Sequence, residues 1–468
     1  MAIPPLRPSA CVSQRRGYRG PVSTATTAER AGPGPAAVPG GLPAGPRRPG
    51  ALQSLEYALD PYGYFGRAHR RFGDVFTVHV VGEEWVILAH PDAVREVFGH
   101  GPDALDSGEA NFALRPILGT RNVLLLDGAE HLRRRKLVLP PFHGARMKAY
   151  AEIISSVARR DLDGWPVGTP FPVLPHMQGV TFEVIMRAVF GVEEASRLDR
   201  LRRILRQLLS WTADWRRAVV FGFLGPERVM ALRGFRRQLA EVDAEVLGEI
   251  ARRGEAGDLA ERKDVLSLLL RARDEDGRPL SDGELRDELV TLLVAGHETT
   301  AAALAWTLGE LADAPAVQER LAAGEEGLSE AVVTETLRLH PPVPLGALRR
   351  LRTPLRIAGH DLPAGATVAA CALLVHRRPD LYERPDASVP DRFLGAKPLA
   401  GGWLPFGGGV RRCVGAAFAQ FEARLVVEEL ARRFVLAQLP GRRPRGIGRR
   451  GIVLVPRHGG RLVATPRT

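Results

Sequence analysis

Apolar residues show no periodicity over the first fifty positions. Residues 1–50 are rich in Pro, Gly, Ala and Arg and nearly free of large hydrophobic side chains, so they read as a tail or linker without a core. Order begins near Leu52. Val75 to Val81, then Gly82-Glu83-Glu84, then Trp85 to Leu88 predict a β-hairpin, and Pro91 to Phe98 predicts a short helix opened by proline. From residue 130 the spacing turns helical. His131 to Leu139, Arg146 to Leu162, Met177 to Val189, Ala195 to Ala213 and Gly234 to Arg253 place apolar residues near i, i+3, i+4 and i+7. Ser281-Asp282-Gly283-Glu284 has the form of a capping box, and the helix it opens runs to about Ala312 before Pro315. Further helices are expected from Ser329 to Leu339 and from about Val414 to Phe434, with short strands at Leu355 to Ile357 and Thr367 to Ala370. The pattern is mainly α with a minor β part. It predicts one large domain over residues 51–468 behind the tail, crossed by a long central helix.

Composition narrows the picture without naming a function. The chain has 468 residues, 45% hydrophobic and 25% charged, which is ordinary globular usage. Its 65 basic against 53 acidic residues leave a net +12, but the basic residues are nearly all Arg and interleave with Asp and Glu. That describes a solvated mixed-charge surface rather than a nucleic-acid stripe. Cys11, Cys371 and Cys413 form no disulfide framework and fit a reducing, cytoplasmic setting. The most apolar stretch, Leu289 to Ala312, carries His297, Glu298, Thr299 and Thr300 at its centre, which argues for a buried helix with a function rather than a membrane span. Arg15-Arg16 is followed by Gly, Pro, Ser and Thr and makes no secretion signal.

The sharpest chemistry lies in Phe406-Gly407-Gly408-Gly409-Val410-Arg411-Arg412-Cys413-Val414-Gly415. One cysteine stands between a glycine-rich loop and a helix start, where free N–H groups and the two arginines favour a thiolate. The glycines allow the backbone to approach something flat or bulky. A lone thiolate is a poor zinc site and a good single axial ligand for haem iron. The segment resembles the haem-binding signature of the cytochrome P-450 family, Phe-x-x-Gly-x-Arg-x-Cys-x-Gly, with Val410 where proline is common.

Other motifs follow the family's order. Glu335-Thr336-Leu337-Arg338 is similar to its Glu-x-x-Arg, and Arg392 in Pro390-Asp391-Arg392-Phe393 supplies the third member of a structural network expected to fix the cysteine loop. Ala295-Gly296-His297-Glu298-Thr299-Thr300 resembles the oxygen-activating segment, in which Glu298 and Thr299 relay protons. The alternative for the hydroxyl is a bond back to the preceding turn. Gly296 costs helix stability, roughly 1 kcal/mol, so something needs space there. In Gly128 to Arg135 the resemblance makes His131 and Arg135 propionate donors, with Arg349 and Arg411 as the others, and Phe406, Gly409 and Cys413 as the cofactor loop.

The resemblance implies the cytochrome P-450 fold, haem b ligated by Cys413, and a monooxygenase using O2. No flavin, nicotinamide or iron–sulfur signature is present, so electrons are expected from a ferredoxin or flavodoxin with its reductase. Arg133, Arg134, Lys136 and Arg412 are a candidate docking patch for such an acidic carrier. Phe112, Leu114, Ile117, Leu118, Val343, Leu345 and Ala347 suggest an apolar substrate such as a terpenoid, steroid, fatty acid or polyketide, unless they are ordinary core. A monomer without nucleic-acid binding is expected. The competing readings are a haem-thiolate enzyme that uses peroxide or rearranges an oxidised substrate, and a non-catalytic gas-binding haem protein or basic nucleic-acid binder.

Overall fold

The computed structural model describes residues 41–80, 82–191, 194–213, 228–346, 348–439 and 446–467. Cys11, Arg15, Arg16, Val81, Ala347 and most of the 1–50 tail lie outside these residues. The hairpin forms as Val75–Val80 against Glu83–Leu88, and the six predicted helices before residue 260 appear as Pro91–Gly99, Gly128–Val138, Met147–Asp163, Leu174–Phe190, Ala195–Ala213 and Arg233–Gly254.

The pattern overlooked Gly50–Leu59 and Pro61–Phe72. The first is inverted: it buries Gln53 and Tyr57 and exposes Leu52, Leu55 and Leu59. Burial of Gln53 is compensated at every polar atom. Its amide donates to the carbonyls of Pro46 and Arg48, and its oxygen accepts from the Tyr64 hydroxyl and the His79 N–H. The backbone N–H of Thr77 also bonds to the Ala44 carbonyl. Packing thus begins several residues ahead of position 51.

The long helix spans Asp282–Ala312, about 46 Å at 1.5 Å per residue. Both halves of its capping box are made: Ser281 Oγ accepts from Glu284 N, and Glu284 Oε2 accepts from Ser281 N at 2.9 Å. Its residues 285–293 and 300–309 are buried all round, as in a core helix. By length and composition it alone among the described helices is apolar enough to cross a membrane, but most of it is buried within the protein. Its main neighbour is Leu174–Phe190. Gly296 marks their close approach, because a Cβ there would lie 3.2 Å from Ile185 Cδ1. The space that Gly296 provides is used for helix packing.

A five-stranded mixed sheet runs in the order Val75–Val80, Glu83–Leu88, Thr367–Ala370, Arg349–Leu351, Leu105–Asp106. The Trp85–Leu88 and Thr367–Ala370 segments are parallel, and the other pairs antiparallel. Its last two strands pair Leu105 with Leu351 and Asp106 with Arg350, which sets Arg349 beside the chain that leaves Asp106. The helices Leu328–Leu339 and Ala416–Arg433 pack on the long helix, so the Glu-x-x-Arg motif and the cysteine loop are carried by neighbouring elements.

Candidate active site

Arg338 and Glu335 are fully buried. Arg338 Nε and Nη2 donate to the two Glu335 oxygens at 2.7 and 2.8 Å. Its remaining N–H groups reach the carbonyls of His376 at 2.7 Å, Pro385 at 2.6 Å and Ala387 at 3.0 Å. Arg392 Nε and the Val389 N–H donate to Glu335 Oε1. Sequence spacing on its own fits a surface pair, whereas the structure shows a closed polar network that is fully buried.

Three contacts join this network to the residues ahead of the cysteine loop. His376 Nδ1 donates to the Arg338 carbonyl at 2.9 Å, while its Nε2 accepts the Leu404 N–H at 2.7 Å. The Tyr382 ring lies under Arg338 and Arg392, and its hydroxyl donates to the Gly402 carbonyl. Trp403 Nε1 donates to the Thr334 carbonyl. Burial holds His376 neutral, its pKa lowered to about 3. None of His376, Tyr382 or Trp403 was singled out by sequence reasoning, since each acts through contacts distant along the chain.

The loop itself closes with the Cys413 N–H on the Phe406 carbonyl at 2.9 Å. Its glycines approach a protein ring. A Cβ on Gly408 would lie 2.1 Å from Phe98 Cδ2, and one on Gly409 would lie 2.6 Å from the Phe98 carbonyl oxygen. Gly409 also requires φ of +63°. Cys413 has accessible surface although protein surrounds it closely. Burial raises its thiol, opposed by the Gly415 N–H and the charges of Arg135 and Arg412. Arg411 is not among these neighbours; it turns to Asp127 and the Val123 carbonyl.

Arg411 instead joins His131, Arg135 and Arg349 in a cationic cluster. His131 is buried with Nδ1 unpartnered, and burial together with Arg411 and Arg135 lowers its pKa to about 3. Arg349 is buried, bonded among the described residues through Nη1 to the Leu348 carbonyl, with its guanidinium 5.9 Å from the Phe98 ring centre. Burial and Arg411 bring its pKa down to about 10. Arg135 has no ion pair among the described residues, and burial lowers its pKa too. Among the described residues, three cations and a neutral imidazole with a free nitrogen gather near Asp127, and Asp106 bears on Arg411 as well. Such crowding fits a ligand that brings two negative charges. Haem carries two propionates, and Cys413 offers a single thiolate nearby, so the residues present suit that cofactor.

The long helix interrupts its burial where Ala295 is exposed and Val294, Gly296, Glu298 and Thr299 are half-exposed. Thr299 Oγ1 donates to the Ala295 carbonyl at 2.7 Å, the backbone alternative considered for it. Glu298 turns toward Leu174–Phe190, where Gln178 Nε2 donates to both its oxygens at 2.9 and 3.0 Å. Arg450 Nε stands 2.7 Å from Glu298 Oε1 without aiming its N–H there.

Two expectations change. Arg134 is buried, bonded to Glu284, Glu288 and the Arg121 carbonyl, and Arg133 pairs with Glu130, Asp274 and Glu284. Lys136 is exposed but paired with Glu275 at 2.5 Å. Of the proposed docking patch, Arg412 alone is exposed and without an ion pair among the described residues. Ile117 and Leu118 belong to the main core and Leu345 to the cluster around Tyr57 and Phe76, whereas Phe112, Leu114 and Val343 keep accessible surface.

Comparison with known proteins agrees with this geometry. The family model described as Cytochrome P450 matches residues 41–324 and 327–463. A Mycobacterium tuberculosis protein named as cytochrome P450 135A1 is 38% identical over 435 residues, covering 91% of this chain and 96% of its own. A Mycobacterium bovis protein named as cytochrome P450 135B1 is 39% identical over 447 residues, covering 90% and 91%. Among solved structures, the retinoic acid-bound cyanobacterial CYP120A1 superposes with a TM-score of 0.76 at 24% identity, covering 91% of this chain and 100% of that one. The cytochrome P450DA heme domain does so with 0.77 at 23%, covering 91% and 98%.

Two outcomes follow from the buried network. Arg338→Lys supplies three donors where five are used, so holoprotein stability should fall by about 3–5 kcal/mol in chemical denaturation, with less haem incorporated. For His376 the folded pKa of about 3 lies below the ordinary 6.5. Its contribution is therefore present above pH 6.5 and is lost as pH falls toward 3, by at most about 1.4 kcal/mol per pH unit. His376→Asn should flatten that acid limb of stability against pH, and an unchanged slope would assign the limb to another group.

Proposed function

Because the chain belongs to the cytochrome P450 family of haem-thiolate monooxygenases, which use O2 and a redox partner, we propose that it oxygenates an apolar small molecule at haem iron held by Cys413. The carrying observation is the pairing of one thiol, faced by the Gly415 N–H, Arg135 and Arg412, with the cluster of His131, Arg135, Arg349 and Arg411. The first suits a thiolate ligand and the second a dianion. When bound, the thiolate-ligated haem supplies the oxygen and electron chemistry of the reaction.

The chain's own residues supply the setting. Arg135, Arg349 and Arg411 neutralise the propionates, and His131 is placed to donate through its free nitrogen. Phe406 and Gly409 shape the loop, and Glu335, Arg338 and Arg392 keep it in place. Glu298 and Thr299 move protons toward the reacting oxygen, which requires the Thr299 hydroxyl to leave the Ala295 carbonyl and Glu298 to loosen from Gln178 and Arg450. Phe112, Leu114 and Val343 favour an apolar substrate of terpenoid, steroid, fatty-acid or polyketide type. An acidic ferredoxin or flavodoxin docks at Arg412, beside the thiol. The setting is cytoplasmic, and the haem domain, which takes in residues 41–50 as well, acts as a monomer.

The test is spectroscopic. Dithionite-reduced protein under carbon monoxide should show a strongly red-shifted Soret band that Cys413→Ser abolishes; an unshifted band in the unmodified protein overturns thiolate ligation. With a substrate identified by its spin shift, Thr299→Ala should release several-fold more peroxide per electron pair at unchanged ligand affinity. Arg412→Glu should slow reduction by an acidic carrier, more at low salt than at high salt, and an unchanged rate removes that docking site.

A further inference from the structure

Asp127 occupies the N-cap position of Gly128–Val138, where an aspartate ordinarily accepts from the first turn of its helix. Its side chain makes no such bond. The carboxylate instead accepts three successive backbone N–H groups of another segment: Ser107 at 2.7 Å and Gly108 at 3.0 Å on Oδ1, and Glu109 at 3.2 Å on Oδ2. Arg411 Nη2 also donates to Oδ1. The fit depends on glycine at 108, where a Cβ would lie 2.1 Å from the Leu125 carbonyl oxygen and 2.7 Å from Asp127 Oδ2. Gly128 follows with φ of +58°, which turns the chain from this carboxylate into the helix.

The three N–H groups stand between two functional stretches. Ahead of them, Leu105–Asp106 is the edge strand paired with Arg349–Leu351. Behind them, residues 109–118 carry Phe112 and Leu114, which have accessible surface beside the core residues Ile117 and Leu118. Asp127 also bears electrostatically on His131 and Arg349. One carboxylate therefore touches the segment expected to line the substrate pocket and one of the arginines that hold the cofactor.

We propose that Asp127 is a positioning residue that latches the pocket segment 107–118 to the propionate cluster, so that ligand fit and the grip on the cofactor are coupled through it. This rests on the haem-monooxygenase reading. A ligand that presses residues 109–118 into place strengthens the three backbone bonds, fixes the carboxylate, and through it orients Arg411. Loosening of the segment frees the carboxylate and leaves Arg411 without its ion-pair partner among the described residues.

The experiment compares holoenzyme with Asp127→Asn, which keeps shape but removes charge, and Gly108→Ala, which keeps Asp127 but obstructs its approach. Hydrogen exchange is read at the amides of 107–109, and the affinity of phenylimidazole is read from the Soret shift. Both variants should exchange faster at these amides and bind phenylimidazole about tenfold more weakly, the scale of one lost charge-assisted hydrogen bond. Phenylimidazole should also slow exchange of the 128–131 amides in the unmodified protein and not in Asp127→Asn. If exchange at 107–109 is unchanged, or rises evenly along the chain with affinity unaltered, the latch is overturned. If the unmodified protein shows neither the red-shifted carbon monoxide band nor a ligand shift, the haem reading fails instead.

Discussion

An arginine that is entirely buried must have each of its five N–H groups met, and Arg338 achieves this with one carboxylate and three carbonyls. Those partners dictate the course of the chain. Glu335 is on the same helix, but the carbonyls come from His376, Pro385 and Ala387, so the segment after the sheet has to fold back across the Leu328–Leu339 helix. His376 then passes the constraint forward. Its Nδ1–H is committed to the Arg338 carbonyl, which leaves Nε2 as an acceptor for Leu404. Protonating that nitrogen would set two N–H groups against each other, which acts in the same direction as the burial that keeps this histidine neutral.

Charge is handled differently on the cofactor's acidic side. Arg135, Arg349, Arg411 and His131 are gathered with too few carboxylates to balance them, and burial drives the imidazole and guanidinium pKa values down. A few residues away, in the same helix as His131, Arg133 and Arg134 are paired with Asp274, Glu284 and Glu288. Burial pushes Glu288 up to about 8 even beside Arg134. One helix thus fastens itself to the long helix with paired charges and presents unpaired ones to the cofactor.

The sequence showed what depends on local spacing. The cysteine loop, the Glu-x-x-Arg pair and the capping box are each contained in about ten residues or fewer, and the hairpin in residues 75–88. It could not show what depends on distant approach. Phe98 and Asp127 meet the cysteine loop from some three hundred residues away, and Gln178 and Arg450 reach Glu298 from different elements. Arg133 and Arg134 have the same look as Arg135, and nothing local says which of them finds acids. The glycines illustrate the same limit. Their need for space was legible, but the occupants are the protein's own Phe98 and Ile185. The first helix escaped notice because its buried face carries Gln53, which no hydrophobic pattern marks.

The reach of Arg338 also sets an order on synthesis. Its carbonyl partners lie 38, 47 and 49 residues downstream. At ribosomal speeds of about 5–20 residues per second, the arginine leaves the tunnel several seconds before the oxygens that will surround it. Until then its helix cannot be interred, because Glu335 meets only two of its N–H groups and the others will not enter an apolar core unmet. The distal helices are free to condense early, while the wall that carries the cysteine must wait for nearly the whole chain.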